Sequence, residues 1–268
     1  MLNEYSFGEI YIRHAIDDYP DDSHFTMHIH EQCEIYFFIS GNVEYLVEGS
    51  KYFLAPDTLM IMRPSEVHKP RIISGERYER YALNFPVRFA ENIDPQRRLI
   101  KAFTERTLGK NNMLDSSMID TGLVRKLFSK MCENSDDYGK QLKIKTHLPL
   151  LLDMISHAYD RQIKIDHEPK STSERIVNYV NEHLFENISI PGLASYFYLS
   201  QSQFRRVFKQ ATGASPWEYI TKKRLNAAKE KIRNGSSAMM ASESCGFGDY
   251  SAFYRAYTKY FGCAPTNK

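Results

Sequence analysis

The chain has 268 residues, 42% of them hydrophobic and 25% charged, with a formal net charge of +2. That length allows two domains, and the composition excludes a disordered, collagenous or disulfide-built chain. No apolar stretch approaches the ~20 residues that span a bilayer, and the start MLNEYSFGEI lacks a signal peptide's basic-then-apolar order. A cytoplasmic protein with no membrane partner is expected, its four scattered cysteines reduced.

Between residues 24 and 86 the chain reads as short strands. Residues 33–39 form an almost unbroken apolar run that ends at Ser40-Gly41-Asn42, and Val43–Val47 follows before Gly49 and Ser50 turn the chain. Residues 52–54, Thr58–Met62, residues 71–73 and Tyr78–Phe85 continue the series. Such strands predict an antiparallel β-barrel over residues 1–90.

Within it, His28, His30, Glu34 and Gly41 form the pattern HxH(x)3E(x)6G, with His68 downstream. In an extended strand even-numbered residues share a face, so His28, His30 and Glu34 are expected to point together into the barrel. Three imidazoles and a carboxylate suit a divalent metal such as zinc, nickel, manganese or iron. The same residues equally serve to hydrogen-bond a polar ligand, or one another. Without a metal, His28, His30, Glu34, Tyr36 and His68 are the candidate effector-binding residues. Arg80 joins them, from a strand whose Tyr78, Arg80, Ala82 and Asn84 share a face. This lining suits a hydroxyl-rich or anionic small molecule. The stretch resembles the first motif of the cupin superfamily, HxH(x)3–4E(x)6G. Of the second motif Gly49, Pro56 and His68 are kept, but Thr58 stands where glycine is usual.

Residues 91–165 read as helical. Leu123, Leu127 and Met131 recur at four-residue spacing, and Leu148, Leu151, Leu152, Ile155 and Tyr159 form a second stripe. Pro149 is expected in a first turn or at a kink. These stripes serve packing against the barrel, a dimer interface, or both. Residues 166–173 are polar, carry Pro169 and read as a linker, with Ser171 and Glu174 as a capping box for the next helix.

Residues 174–268 read as an all-helical domain. From residue 171 onward the chain carries 13 Lys/Arg against 7 Asp/Glu, a net of +6, while residues 1–170 carry −4. Such asymmetry fits a nucleic-acid-binding part joined to one that is not. Ser189 and Pro191 open a short helix, and Ser200 with Gln203 caps a second whose apolar face is Phe204, Val207 and Phe208. Ser202, Arg205, Arg206 and Lys209 lie elsewhere around it, as on the recognition helix of a helix-turn-helix. Gly213 ends that helix, and Ser215 and Pro216 begin a long one toward Arg233. Its Lys222, Lys223 and Arg224 are expected to be solvated or to touch phosphate. The pattern then repeats: Phe204, Arg206, Phe208, Gly213 and Pro216 return 49 residues later as Phe253, Arg255, Tyr257, Gly262 and Pro265. Asp249 is the expected N-cap of a second recognition helix presenting Tyr250, Ser251, Tyr254 and Arg255.

The runs LA(x)5S(x)3FRRVFK(x)2TG(x)SP and GF(x)D(x)SAF(x)R(x)6G(x)2P resemble the DNA-binding domain of AraC/XylS-type regulators over roughly the last 95 residues. The resemblance implies an α+β, two-domain bacterial transcription regulator: a cupin-like effector barrel with packed helices, and two helix-turn-helix units. It implies double-stranded DNA as partner, with the two recognition helices in successive major grooves ~34 Å apart. Further implied are a carbohydrate-type small-molecule effector, a homodimer and, for an activator, RNA polymerase as partner. No enzyme activity and no cofactor are expected; the alternative is a metal-dependent cupin enzyme or metal sensor fused to the DNA-binding domain. The family's usual Ile-x-x-Ile-Ala is replaced by Ala238-Met239-Met240-Ala241-Ser242, so a less stable second unit is expected.

Overall fold

In the computed structural model, which describes residues 2–162 and 171–266, nine strands form two antiparallel sheets. They are β1 (Leu2–Phe7), β2 (Ile10–Asp17), β3 (Cys33–Ser40), β4 (Val43–Val47), β5 (Ser50–Phe53), β6 (Thr58–Met62), β7 (His68–Ile72), β8 (Tyr78–Phe85) and β9 (Met113–Leu114). The larger sheet runs β1-β2-β8-β3-β6-β9 and the smaller β5-β4-β7. The strands have the antiparallel arrangement expected and form two facing sheets, with no named strand ladder closing them into a single barrel among the described residues. β1, β2 and β9 lie outside the stretch whose strands the sequence signals.

β3 is buried on both faces, which is why its sequence does not alternate. Cys33, Ile35, Phe37 and Ile39 enter a core with the outer helices, while Tyr36 and Phe38 pack between the sheets. The helices of the middle segment are α1 (Val87–Glu91), α2 (Lys101–Thr104), α3 (Thr121–Cys132) and α4 (Asp137–Gln162). Leu148, Leu151, Leu152, Ile155 and Tyr159 of α4 are buried in the outer core, so packing accounts for this stripe. Pro149 sits inside α4, away from its first turn.

The remaining helices are α5 (Thr172–Glu182), α6 (Ile190–Tyr196), α7 (Gln201–Thr212), α8 (Pro216–Arg233), α9 (Ala238–Ser244) and α10 (Tyr250–Phe261). Of the expected 166–173 linker, residues 166–170 lie outside the described residues. Residues 172–173 already belong to α5, whose N-cap is Ser171, so the helical domain begins slightly earlier than expected. Glu174 pairs with Lys110 at 2.7 Å.

The two halves share a core. Met27, Ile29 and Val67 of the β half pack with Ile176, Val177, Phe208 and Tyr219 of the helical half. The β4–β5 hairpin makes this approach possible: Glu48 and Gly49 both have positive φ, as a two-residue type I′ turn requires. A Cβ on Gly49 would stand 2.8 Å from Val177 Cγ2, so glycine is needed for both conformation and space.

Candidate functional site

Between the sheets lies a cavity of about 470 Å³, within the range of small-molecule sites. Of the six expected residues His28, Glu34, Tyr36 and Arg80 line it, whereas His30 and His68 do not; Arg13, Asp17, Tyr45 and Tyr78 join the lining. Arg80 pairs with Asp17 and stacks over the Tyr78 ring, its Cζ 4.2 Å from the centroid. Tyr36 and Tyr78 share a hydrogen bond between their hydroxyls. Arg13 and Asp17 come from β2, which the His/Glu pattern does not reach; their alternation along 10–17 is the one signal that could have found them.

At the cavity's inner end the expected His/Glu group comes together, though not on one strand. His28 makes an isolated bridge with His68, the chain bends at Glu31 and Gln32, and Glu34 lies on β3. One ligand atom each from His28, His30, Glu34 and His68 lies within 4.8 Å of the others. Nε2 of His30 and of His68 stand 2.8 and 3.0 Å from Glu34 Oε2. Burial opposes charge on Glu34, but the bonds from His30 and His68 outweigh it and hold the carboxyl well below its ordinary range. Burial also opposes a charged His68, yet Glu34 prevails and raises its pKa. Burial, reinforced by His68, pushes His28 down to about 3.

The ring orientations test whether this group fits a metal. Each Nδ1 faces a backbone carbonyl: His28 that of Thr26 at 3.1 Å, His30 that of Gln32 at 2.9 Å, His68 that of Glu66 at 2.8 Å. Carbonyls only accept, so the ring proton belongs on Nδ1. Nε2 of His30 and His68 then meets a carboxylate that also only accepts. The Asn84 amide stands 3.3 Å from both His30 Nε2 and Glu34 Oε2, and a second ring proton or a shared cation would satisfy the remaining facing acceptors. The donor set, with its backbone-oriented imidazoles, therefore fits a divalent metal.

In the helical half, Ser200 accepts from Gln203 N–H while the Gln203 side chain returns a bond to Ser200 N–H, a complete capping box for α7. Asp249 caps α10 by accepting from Ser251 and Ala252 N–H. Gly213 and Gly262 close the two helices with φ of 79° and 71°. Ser202, Arg205, Arg206 and Lys209 on α7 are exposed, as are Tyr250, Ser251, Tyr254 and Arg255 on α10.

The family model described as an AraC-like ligand binding domain matches residues 9–152, more than half of the chain, and that of a helix-turn-helix domain matches residues 193–267. The chain belongs to the AraC family of transcriptional regulators. A probable transcriptional regulator, LumQ of Photobacterium leiognathi, is 26% identical over 90% of both chains. The uncharacterized regulator YobQ of Bacillus subtilis is 26% identical, over 89% of this chain and 86% of its own. ToxT from Vibrio cholerae aligns over 97% of both chains at 11% identity, with a TM-score of 0.41.

Two of the three basic residues singled out on α8 are used differently from expectation. Lys223 and Arg224 of α8 are buried, neither solvated nor available to phosphate, and Lys222 pairs with Glu218 at 3.0 Å. Arg224 donates to the carbonyls of Leu184, Glu186 and Gly246, each at 2.7 Å, and so ties the first unit to the second. Lys223 donates to Glu48 of the β4–β5 hairpin at 2.7 Å. A glutamate in a turn ordinarily reads as a solvated charge, and nothing in its sequence neighbourhood marks Glu48 as buried.

Proposed function

We propose that this regulator reads DNA through α7 and α10 and is controlled by a small polar, carbohydrate-type effector held between the sheets. The observation that carries the reading is a polar cavity, lined by Asp17, Arg80, His28 and tyrosines, in a half that shares its core with the first recognition helix. Hydroxyl groups find both donors and acceptors there, and tyrosine faces suit the apolar side of a sugar ring. Ser202, Arg205, Arg206 and Lys209 would contact the first half-site, and Tyr250, Ser251, Tyr254 and Arg255 the second. We assign the chain a homodimeric, cytoplasmic, non-enzymatic role, with RNA polymerase as a further partner if it activates. Thermal-shift screening of sugars and sugar acids, followed by titration of a bound compound against protein–DNA complexes, tests the reading. A hit must shift both the melting temperature and the DNA affinity; no hit at millimolar concentration overturns the effector assignment.

The ring orientations favour a second reading, in which His28, His30, Glu34 and His68 hold a divalent metal. Such an ion would act as a Lewis acid that polarises an effector oxygen reaching the cavity. Elemental analysis of protein purified without chelator decides. About one equivalent of metal, lost in His30→Ala, is the expected result under this reading; a metal-free protein that takes up neither zinc nor nickel removes it.

A further inference from the structure

The wall between the cavity and the DNA-reading half has two working faces. Along residues 27–30, His28 and His30 turn to the His/Glu group, while Met27 and Ile29 enter the core shared with α5 and α7. Across the His28–His68 bridge the pattern recurs: His68 faces the group and Val67 the shared core. Glu48 grips this wall from the hairpin tip. Its backbone N–H donates to Val67 O at 3.0 Å, and its Oε1 accepts from Val67 N–H at 2.8 Å.

The rest of the Glu48 carboxylate belongs to the DNA-reading half. Lys223 donates to it at 2.7 Å, Asn181 at 2.8 Å, and the Tyr219 hydroxyl donates as well. A second carboxylate grips the same helix near its other end: Glu31, next to His30, pairs with Lys229 at 3.3 Å and Arg233 at 2.9 Å. This outer pair stands in an open cleft of about 1100 Å³ between the halves. Thus α8, the helix that joins the two readers, is held at both ends by β-half glutamates beside the His/Glu group.

We propose that Glu48 and Glu31 form an autoinhibitory clamp on α8 that competes with DNA for the reading domain. The clamp does not act by covering the readers, since the candidate base-contacting side chains of α7 and α10 are exposed while it is closed. It acts through charge and restraint. Three cations of the reading domain, Lys223, Lys229 and Arg233, are paired with carboxylates of the acidic half, which lowers the field felt by phosphate. Docking also ties α8 to one placement, so DNA engagement must accommodate the barrel contact as well as the grooves. A change at His28, His30 or His68 reaches the clamp through Val67 and Glu31. This regulation rests on the DNA-reading function proposed above but not on the identity of the effector.

The test uses the full chain and a duplex enriched from a random-sequence pool, first with wild type and then with Glu48→Gln. Glu48→Gln is expected to bind the duplex about tenfold more tightly, within the span of allosteric couplings, and its α8 amides to exchange faster in the free protein. Glu31→Gln, which alters only the open cleft, keeps the test valid if Glu48→Gln folds poorly. It is expected to bind about threefold more tightly, with the slope of log K against log salt steeper by about 1–2 as Lys229 and Arg233 return to phosphate. Affinities within about twofold of wild type for both variants, or weaker than wild type, overturn the clamp and leave the regulator reading standing. A chain from which neither form enriches any duplex overturns the regulator reading, and the clamp as a restraint on DNA binding falls with it.

Discussion

Glu66 and Arg106 show how the wall beside the His/Glu group is kept in place. Both are fully buried, and the Arg106 guanidinium donates to the two carboxylate oxygens at 3.0 and 2.7 Å. Gly109 N–H and Asn112 complete the shell at 2.7 and 3.0 Å. Arg106→Ala leaves that carboxylate buried without its counter-charge, so a loss of about 3–5 kcal/mol in urea unfolding is expected. A loss below about 1 kcal/mol means water reaches Glu66 and the pair is not structural. On the helical side, Arg206 is exposed on α7 and forms no ion pair among the described residues. Arg206→Ala is expected to cost about 1–3 kcal/mol in specific duplex binding and to relax sequence preference at one position. An unchanged ratio of specific to random binding assigns Arg206 no base contact.

The helices of the two readers are equally well capped but unequally supported. Ser237 caps α9 and Asp249 caps α10, so the Ala238–Ser242 stretch still forms its helix. The second unit's core, however, holds alanines at 228 and 241 beside Phe253 and Tyr257, whereas the first packs Ile190, Leu193, Phe204 and Phe208 with β-half residues. Met239 and Met240 point outward and do not replace the missing bulk. Amides of α9 and α10 are therefore expected to exchange faster than those of α6 and α7, because less apolar burial opposes local opening. Equal protection in native-state hydrogen exchange contradicts this ranking. These helices were legible in the sequence because caps, Gly and Pro are local signals. The His/Glu group was legible from its residue types, but its spread over more than one segment was not, since the bend at Glu31 carries no Gly or Pro. The partnership of Glu48 with Lys223 was invisible for a different reason: 175 residues separate them, and only tertiary packing joins a turn carboxylate to a helix cation.

At the scale of the whole molecule, Tyr219 couples the halves and makes their union sensitive to alkali. Burial, then the charge of Glu48 and the bond to it, raises the Tyr219 hydroxyl well above the ordinary tyrosine value of 10.0. Around it stand Glu48, Asn181 and Lys223, with Glu66 at longer range. The neutral phenol is the form the fold keeps, so its stabilisation is complete below about pH 10, the unfolded value. It is lost as pH rises from there toward the folded value, because the unfolded chain releases the proton first. The melting temperature should therefore fall above pH 10. Tyr78, pushed up to about 12 by burial despite Arg80, adds to the same trend within the β half. Tyr219→Phe separates the two contributions. It removes one donor from Glu48, lowering stability by about 1–3 kcal/mol at pH 8, but it cannot ionise. Its melting temperature is expected to decline less steeply than wild type between pH 9.5 and 11.5. Parallel declines would show that Tyr219 ionises as readily in the folded protein as in the unfolded one, and that water enters the junction between the halves.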